Sequence, residues 1–155
     1  YYIFTSEDEF KNKVRNDFFL EHALVHGNFY GTSKDFVEKK IAEGVNIILE
    51  IDIQGVQQIK STNFPHESIF LLPPSIDSLT ERLNERGTNS KASIELRLLN
   101  AMKEIPSCKN YDHILINDVF ENCCNDLTRI ITGEDSFPMN SKKELFLTKL
   151  LNSQT

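Results

Sequence analysis

Three segments of this 155-residue chain hold side chains whose types and spacing suit chemistry. The first is Glu21-His22-Ala23-Leu24-Val25-His26-Gly27-Asn28-Phe29-Tyr30-Gly31-Thr32, where two glycines bracket aromatic residues and a hydroxyl follows. A carboxylate such as Glu21 accepts two N–H groups at once, a pattern that the N1–H and 2-amino group of guanine offer and adenine does not. Tyr30 and Thr32 suit a phosphate or the edge of a base, although a plain hairpin with a surface aromatic fits the same composition. His22 and His26 are four apart, but a strand and turn do not make them a metal pair, and no third ligand stands nearby. The second segment is Asn46 to Gly55, an apolar run carrying Glu50 and Asp52 at its end. Acids at the carboxyl edge of an open α/β sheet lie where ligands bind, and can take N–H donors or hold hydrated Mg²⁺. Such an acid also serves simply to cap the next helix. The third is Arg82, Arg86 and Arg97, three of the five arginines within sixteen positions. They can converge on phosphate oxygens, or pair at the surface with Glu81, Glu85 and Glu95.

Positioning these groups requires strands and helices, and the hydrophobic pattern supplies both. Asn46–Ile53, Ser68–Leu72 and His113–Asn117 are short, Ile-rich and nearly continuous, as strands buried on both faces of a parallel sheet are. Between them lie helical patterns. One follows Pro73-Pro74 with Ser75 as N-cap. A second runs from about Lys91 to Ile105 with Ile94, Leu98, Ala101 and Ile105 on one stripe. A third is capped by Asp118 and buries Cys123, Leu127, Ile130 and Ile131. Alternating strands and helices predict an α/β fold with a parallel sheet. The first third differs: a helix after Ser6 and a hairpin turning at Gly27-Asn28 predict a separate small lobe. After Gly133 a polar linker leads to a helix at 142–147, expected to be peripheral.

Composition bounds the function. The chain is 39% hydrophobic and 26% charged, with a net charge of −6 and a pI near 5.2, which fits one globular domain and opposes a dedicated nucleic-acid or acidic-membrane binder. Cys108, Cys123 and Cys124 have neither disulfide nor zinc spacing, so a reducing compartment is expected. No apolar stretch is long enough to span a membrane.

Taken in order, Phe19-Leu20-Glu21-His22-Ala23, Gly27-Asn28-Phe29-Tyr30-Gly31-Thr32, Leu49-Glu50-Ile51-Asp52-Ile53-Gln54-Gly55, Phe70-Leu71-Leu72-Pro73-Pro74-Ser75 and Ile116-Asn117-Asp118 resemble a guanylate kinase. The resemblance is colinear from Tyr2 to about Ile131. It implies a P-loop NTPase-like parallel core flanked by helices, with a GMP-binding lobe at 1–32, core at 33–74 and 106–133, a helical lid at 75–105, and a C-terminal linker and helix at 134–155. It implies phosphoryl transfer from ATP to GMP with Mg²⁺, in cytoplasmic purine nucleotide metabolism, by a monomer or homodimer without nucleic-acid or membrane partners. By position, Tyr2, Tyr30 and Thr32 match residues around the GMP phosphate, and Glu21 and Thr32 those that read guanine. Asp52 matches an acid near the base, Arg82, Arg86 and Arg97 the lid arginines, and Asn117 a position beside adenine. Glu50 stands where the family usually has Asp, which shifts the carboxylate's reach. No G-x-x-x-x-G-K-[ST] string occurs here. A missing segment of about 50 residues, room for a strand, that loop and a helix, is therefore expected upstream, and the chain alone is expected to be inactive. A non-catalytic guanylate-kinase-like module that binds phosphopeptides is the alternative reading, against which the retained arginines and Asn117 argue.

Overall fold

A computed structural model describes residues 3–25, 27–85 and 91–152, in two compact units, Tyr1–His66 and Glu67–Thr155. In the first unit, helix α1 (Glu7–Arg15) starts at Ser6, whose hydroxyl accepts from the Glu9 amide at 3.2 Å. Acids fill its first turn and Lys13 and Arg15 its last, matching the helix dipole. Strands β1 (Phe19–Val25) and β2 (Asn28–Ser33) pair antiparallel as a hairpin, but Asn28, expected in the turn, is already the first residue of β2 and pairs with Val25. Helix α2 (Lys34–Ala42) follows, capped by Ser33, and helix α3 (Ile53–Lys60) closes the unit.

The hairpin has two different faces. On one, Phe10 of α1 stacks on Phe19 and Phe29, at 4.6 and 5.2 Å between centroids. The Phe19 ring lies over Gly31 so closely that a Cβ there would sit 2.8 Å from Cδ1, which is why the position has no side chain. The other face packs toward α3. The register slips between Phe19 and Glu21, and this bulge buries two successive residues. Leu20 enters a core with Val37 and Ile59, while Glu21 turns into the site.

The strand expected at Asn46–Ile53 is not formed. Residues 46–52 carry no ladder, and Ile53 already belongs to α3. A strand is defined by its neighbours, and among the described residues none pairs with this segment. Leu49 and Ile51 pack on the Leu20 core while Ile48 and Glu50 face outward, so one side only is covered.

In the second unit β3 (Ile69–Leu72) and β4 (His113–Ile116) pair in parallel, as the pattern predicts. Helix α4 (Ile76–Glu85) begins at Ser75, whose hydroxyl accepts from the Ser78 amide at 3.0 Å. Helix α5 (Lys91–Glu104) half-buries Ile94, Leu98 and Ala101, and a 3-10 turn (Ile105–Asn110) buries Ile105. Helix α6 (Phe120–Ile131) departs from expectation twice. Its N-cap is Val119, not Asp118, with no side-chain cap, and Ile131 is exposed because it lies a full residue past the buried Cys123–Leu127–Ile130 stripe.

Helix α7 (Ser141–Asn152) is not peripheral. Leu147 and Leu150 are buried with Leu72, Ile76, Ile105, Cys108 and Ile114 in the unit's principal core. The linker before it is bound too: Ile114 N–H donates to the Phe137 carbonyl at 2.7 Å, and Phe137 N–H donates to His113 Nδ1 at 3.0 Å.

Candidate nucleotide site

Glu21 is the one buried carboxylate among the described residues, 4% exposed. The bulge turns it inward, and the cross-strand neighbour Thr32 donates its hydroxyl to Glu21 Oε1 at 2.5 Å. Burial pushes the Glu21 carboxyl above the ordinary carboxylate range, while the Thr32 hydroxyl pulls the other way and the charge of Asp52 adds to the rise. A buried acid with so few protein donors keeps acceptor capacity for a ligand, since an ionised carboxylate offers about four lone-pair sites.

Helix α3 approaches the same carboxylate from the other side. Asp52 caps it, accepting from the Gly55 amide at 2.9 Å through Oδ1 and from Gln54 Nε2 at 3.3 Å through Oδ2. Asp52 thus has the bland capping role that its position allowed, and still lies close enough to Glu21 to bear on its charge. Gly55 is buried against Glu21: a Cβ there would lie 2.8 Å from Glu21 Oε2. Tyr30 shares the Glu21–Thr32 face by strand alternation, two residues before Thr32, and is 44% exposed. Glu50 is exposed. Glu21, Thr32, Asp52 and Tyr30 are therefore gathered around one hairpin face, and Glu50 is not held against them by any bond. Tyr2 and His26 lie outside the described residues.

In the second unit, Asn117 ends the sheet. Its amide donates to the Leu72 carbonyl at 2.8 Å, and its own carbonyl accepts from Arg82 Nη2 at 2.9 Å. Arg82 is thereby fixed at the carboxyl edge of β3 and β4, where ligands of parallel sheets bind, rather than free at the surface. None of its expected acidic neighbours forms an ion pair with it. Arg97 on α5 is half-buried, and its Nε has no acceptor among the described residues. Arg86 lies outside the described residues.

Sequence reasoning missed Gly55 as the residue that makes room for Glu21, and Gln58, which binds the backbone of His22. The first had a signal, a glycine three residues after an acid in a helix, where no turn requires one. The second had none.

The described residues include no group of three or more His, Cys, Asp or Glu side chains able to hold a metal ion.

A parallel-sheet unit with an arginine at its carboxyl edge, and a hairpin unit with a buried acid, fit the class of nucleoside monophosphate kinases. The guanylate kinase family model matches residues 1–134. A guanylate kinase of Buchnera aphidicola from Acyrthosiphon pisum is 42% identical over 153 residues, covering 97% of this chain and 74% of the relative. That of Escherichia coli K12 is 44% identical over 135 residues, 86% of this chain and 65% of the relative. The crystal structure of guanylate kinase from Anaplasma phagocytophilum superposes with a TM-score of 0.70 at 29% identity, over 97% of this chain and 74% of that one. The chain belongs to the guanylate kinase family and is a phosphotransferase by class; it spans about three quarters of the Buchnera relative's length.

Proposed function

We propose that the first unit is the phosphoryl-acceptor site for GMP, and that the observation carrying this is the buried Glu21–Thr32 pair. Glu21 accepts from guanine N1–H and the 2-amino group, and Thr32 orients the carboxylate while contributing at the base or phosphate. Asp52 stands near the base, and Tyr30 and Tyr2 serve the GMP phosphate. AMP lacks both donors and would leave the buried acid unsatisfied, a penalty that gives larger discrimination than shape alone.

The second unit supplies the donor side. Asn117 lies beside adenine, and Arg82, Arg86 and Arg97 bind the ATP phosphates and offset charge as the γ-phosphoryl passes to a GMP phosphate oxygen, leaving ADP and GDP. Arg82 is pre-oriented by its bond to the Asn117 carbonyl. Arg97 Nε, which has no acceptor among the described residues, is a donor for a ligand oxygen. Phosphoryl transfer depends on positioning and charge stabilisation more than on a strong base, which suits a site without an evident one. Mg²⁺, carried by ATP, neutralises phosphate charge, and we assign Glu50 a part in binding GMP or the ion's water shell. In this reading residues 1–32 form the GMP lobe and 75–105 the lid, and the protein works in the cytoplasm as a monomer or homodimer.

Equilibrium titration of the chain with GMP and AMP tests the acceptor assignment without requiring turnover. GMP should bind well ahead of AMP, and Glu21→Gln should erase most of that preference. A GMP/AMP ratio that survives Glu21→Gln overturns it.

A further inference from the structure

Among the described residues strand β1 pairs with β2 alone, which leaves its other edge to partners outside a ladder. The partner at His22 is a side chain. His22 N–H donates to Gln58 Oε1 at 3.1 Å, and Gln58 Nε2 donates to the His22 carbonyl at 2.7 Å. A primary amide thus takes the place of a neighbouring strand, satisfying both backbone groups of the residue next to Glu21. The clamp lies directly beside the slip between Phe19 and Glu21, where the ladder is locally irregular.

Helix α3 places three residues at a spacing of three along one face. Asp52 lies at its cap, Gly55 leaves the space that Glu21 Oε2 fills, and Gln58 grips the adjoining backbone. We propose that Gln58 is a specificity-positioning residue, which holds the β1 backbone at His22 so that the Glu21 carboxylate presents both oxygens to a purine bearing N1–H and 2-amino donors. This rests on the assignment of Glu21 as the guanine reader. Gln58 touches no ligand in this role; it acts through Glu21.

The test compares GMP, IMP and AMP binding by the wild-type chain, Gln58→Leu and Gln58→Glu. IMP keeps N1–H but lacks the 2-amino group, and AMP lacks both donors. Gln58→Glu keeps an acceptor for His22 N–H and loses the donor to the His22 carbonyl. Each variant should bind GMP about tenfold more weakly, in line with the cost of sub-ångström misplacement, with a smaller loss for IMP and less than about twofold for AMP. Equal losses for all three would mark a merely structural role and overturn the proposal, as would an unchanged GMP/AMP ratio in a folded variant. Should neither variant fold, amide exchange in the wild-type chain decides: His22 N–H must be protected, and more so with GMP, and an unprotected amide overturns the proposal. A wild-type chain with no preference for GMP over AMP would instead sink the Glu21 assignment itself, and the clamp's role in specificity with it.

Discussion

Gly55→Ala separates what stabilises the first unit from what lets it read a base. The added Cβ would lie 2.8 Å from Glu21 Oε2, about 0.6 Å inside the 3.4 Å at which ordinary contact begins. It would also crowd Ile51, at 3.2 and 3.3 Å from Cβ and Cδ1. The carboxylate must then move off its rotamer, at about 0.5–1.5 kcal/mol, and weaken its bond to Thr32. Replacing glycine by alanine in a helix returns about 0.8–1 kcal/mol, so global stability should change by no more than about 1 kcal/mol. GMP affinity should not escape so lightly. Displacement of the acceptor by about half an ångström disturbs both hydrogen bonds to guanine, and a tenfold loss, about 1.4 kcal/mol, is the minimum expected. Urea unfolding and calorimetric GMP titration of the two proteins give the two numbers. Equal GMP affinity in wild type and Gly55→Ala would refute the reasoning, because the carboxylate would have moved without consequence.

The Glu21 proton gives a second prediction. Its folded pKa is raised, chiefly by burial, so its contribution to stability is full below the ordinary carboxylate value and is lost as pH rises through the raised one. GMP binding needs the ionised form and runs the opposite way, weakening as pH falls through that raised value. Unfolding and GMP titrations across pH check both signs, and Glu21→Gln should flatten them. Gly31→Ala should destabilise by about 1–3 kcal/mol, since its Cβ would meet the stacked Phe19 ring at 2.8 Å; unchanged thermal unfolding would contradict that packing. Leu147→Ala should cost about 2–5 kcal/mol, where a truly peripheral helix would lose under 0.5, and denaturant unfolding distinguishes them.

What could be read from the sequence was local. The Ser6 and Ser75 caps, the hairpin of β1 and β2 and the short β3 and β4 runs each announce themselves within a few residues. Features that depend on two distant segments did not. The apolar run at 46–52 has strand composition, but composition cannot supply a ladder partner, and the chain there stays extended with one side covered. The bulge that turns Glu21 inward is a property of two strands together, invisible in either one. Helix α7 follows a polar linker and opens on charged residues, yet Leu147, Leu150 and Leu151 carry the i, i+3, i+4 spacing of a buried face. Of the site, the residue types on the hairpin were legible and the devices that hold them, Gly55 and Gln58, were not.

The place of α7 also bears on how the chain acquires its structure during synthesis. The Leu20, Val37 and Ile59 core of the first unit lies wholly upstream of residue 67, so it can form while the remainder is still being translated. The second unit cannot. Its principal core joins Leu72 and Ile76 to Leu147 and Leu150, contacts between residues more than 70 positions apart. Loop closure over that distance is the slow kind, and β3, β4 and α4 must wait with their apolar faces uncovered until α7 leaves the ribosome. The hairpin unit is therefore the early product of synthesis, and the unit that carries Arg82 and Arg97 reaches its final setting only once α7 has joined its core.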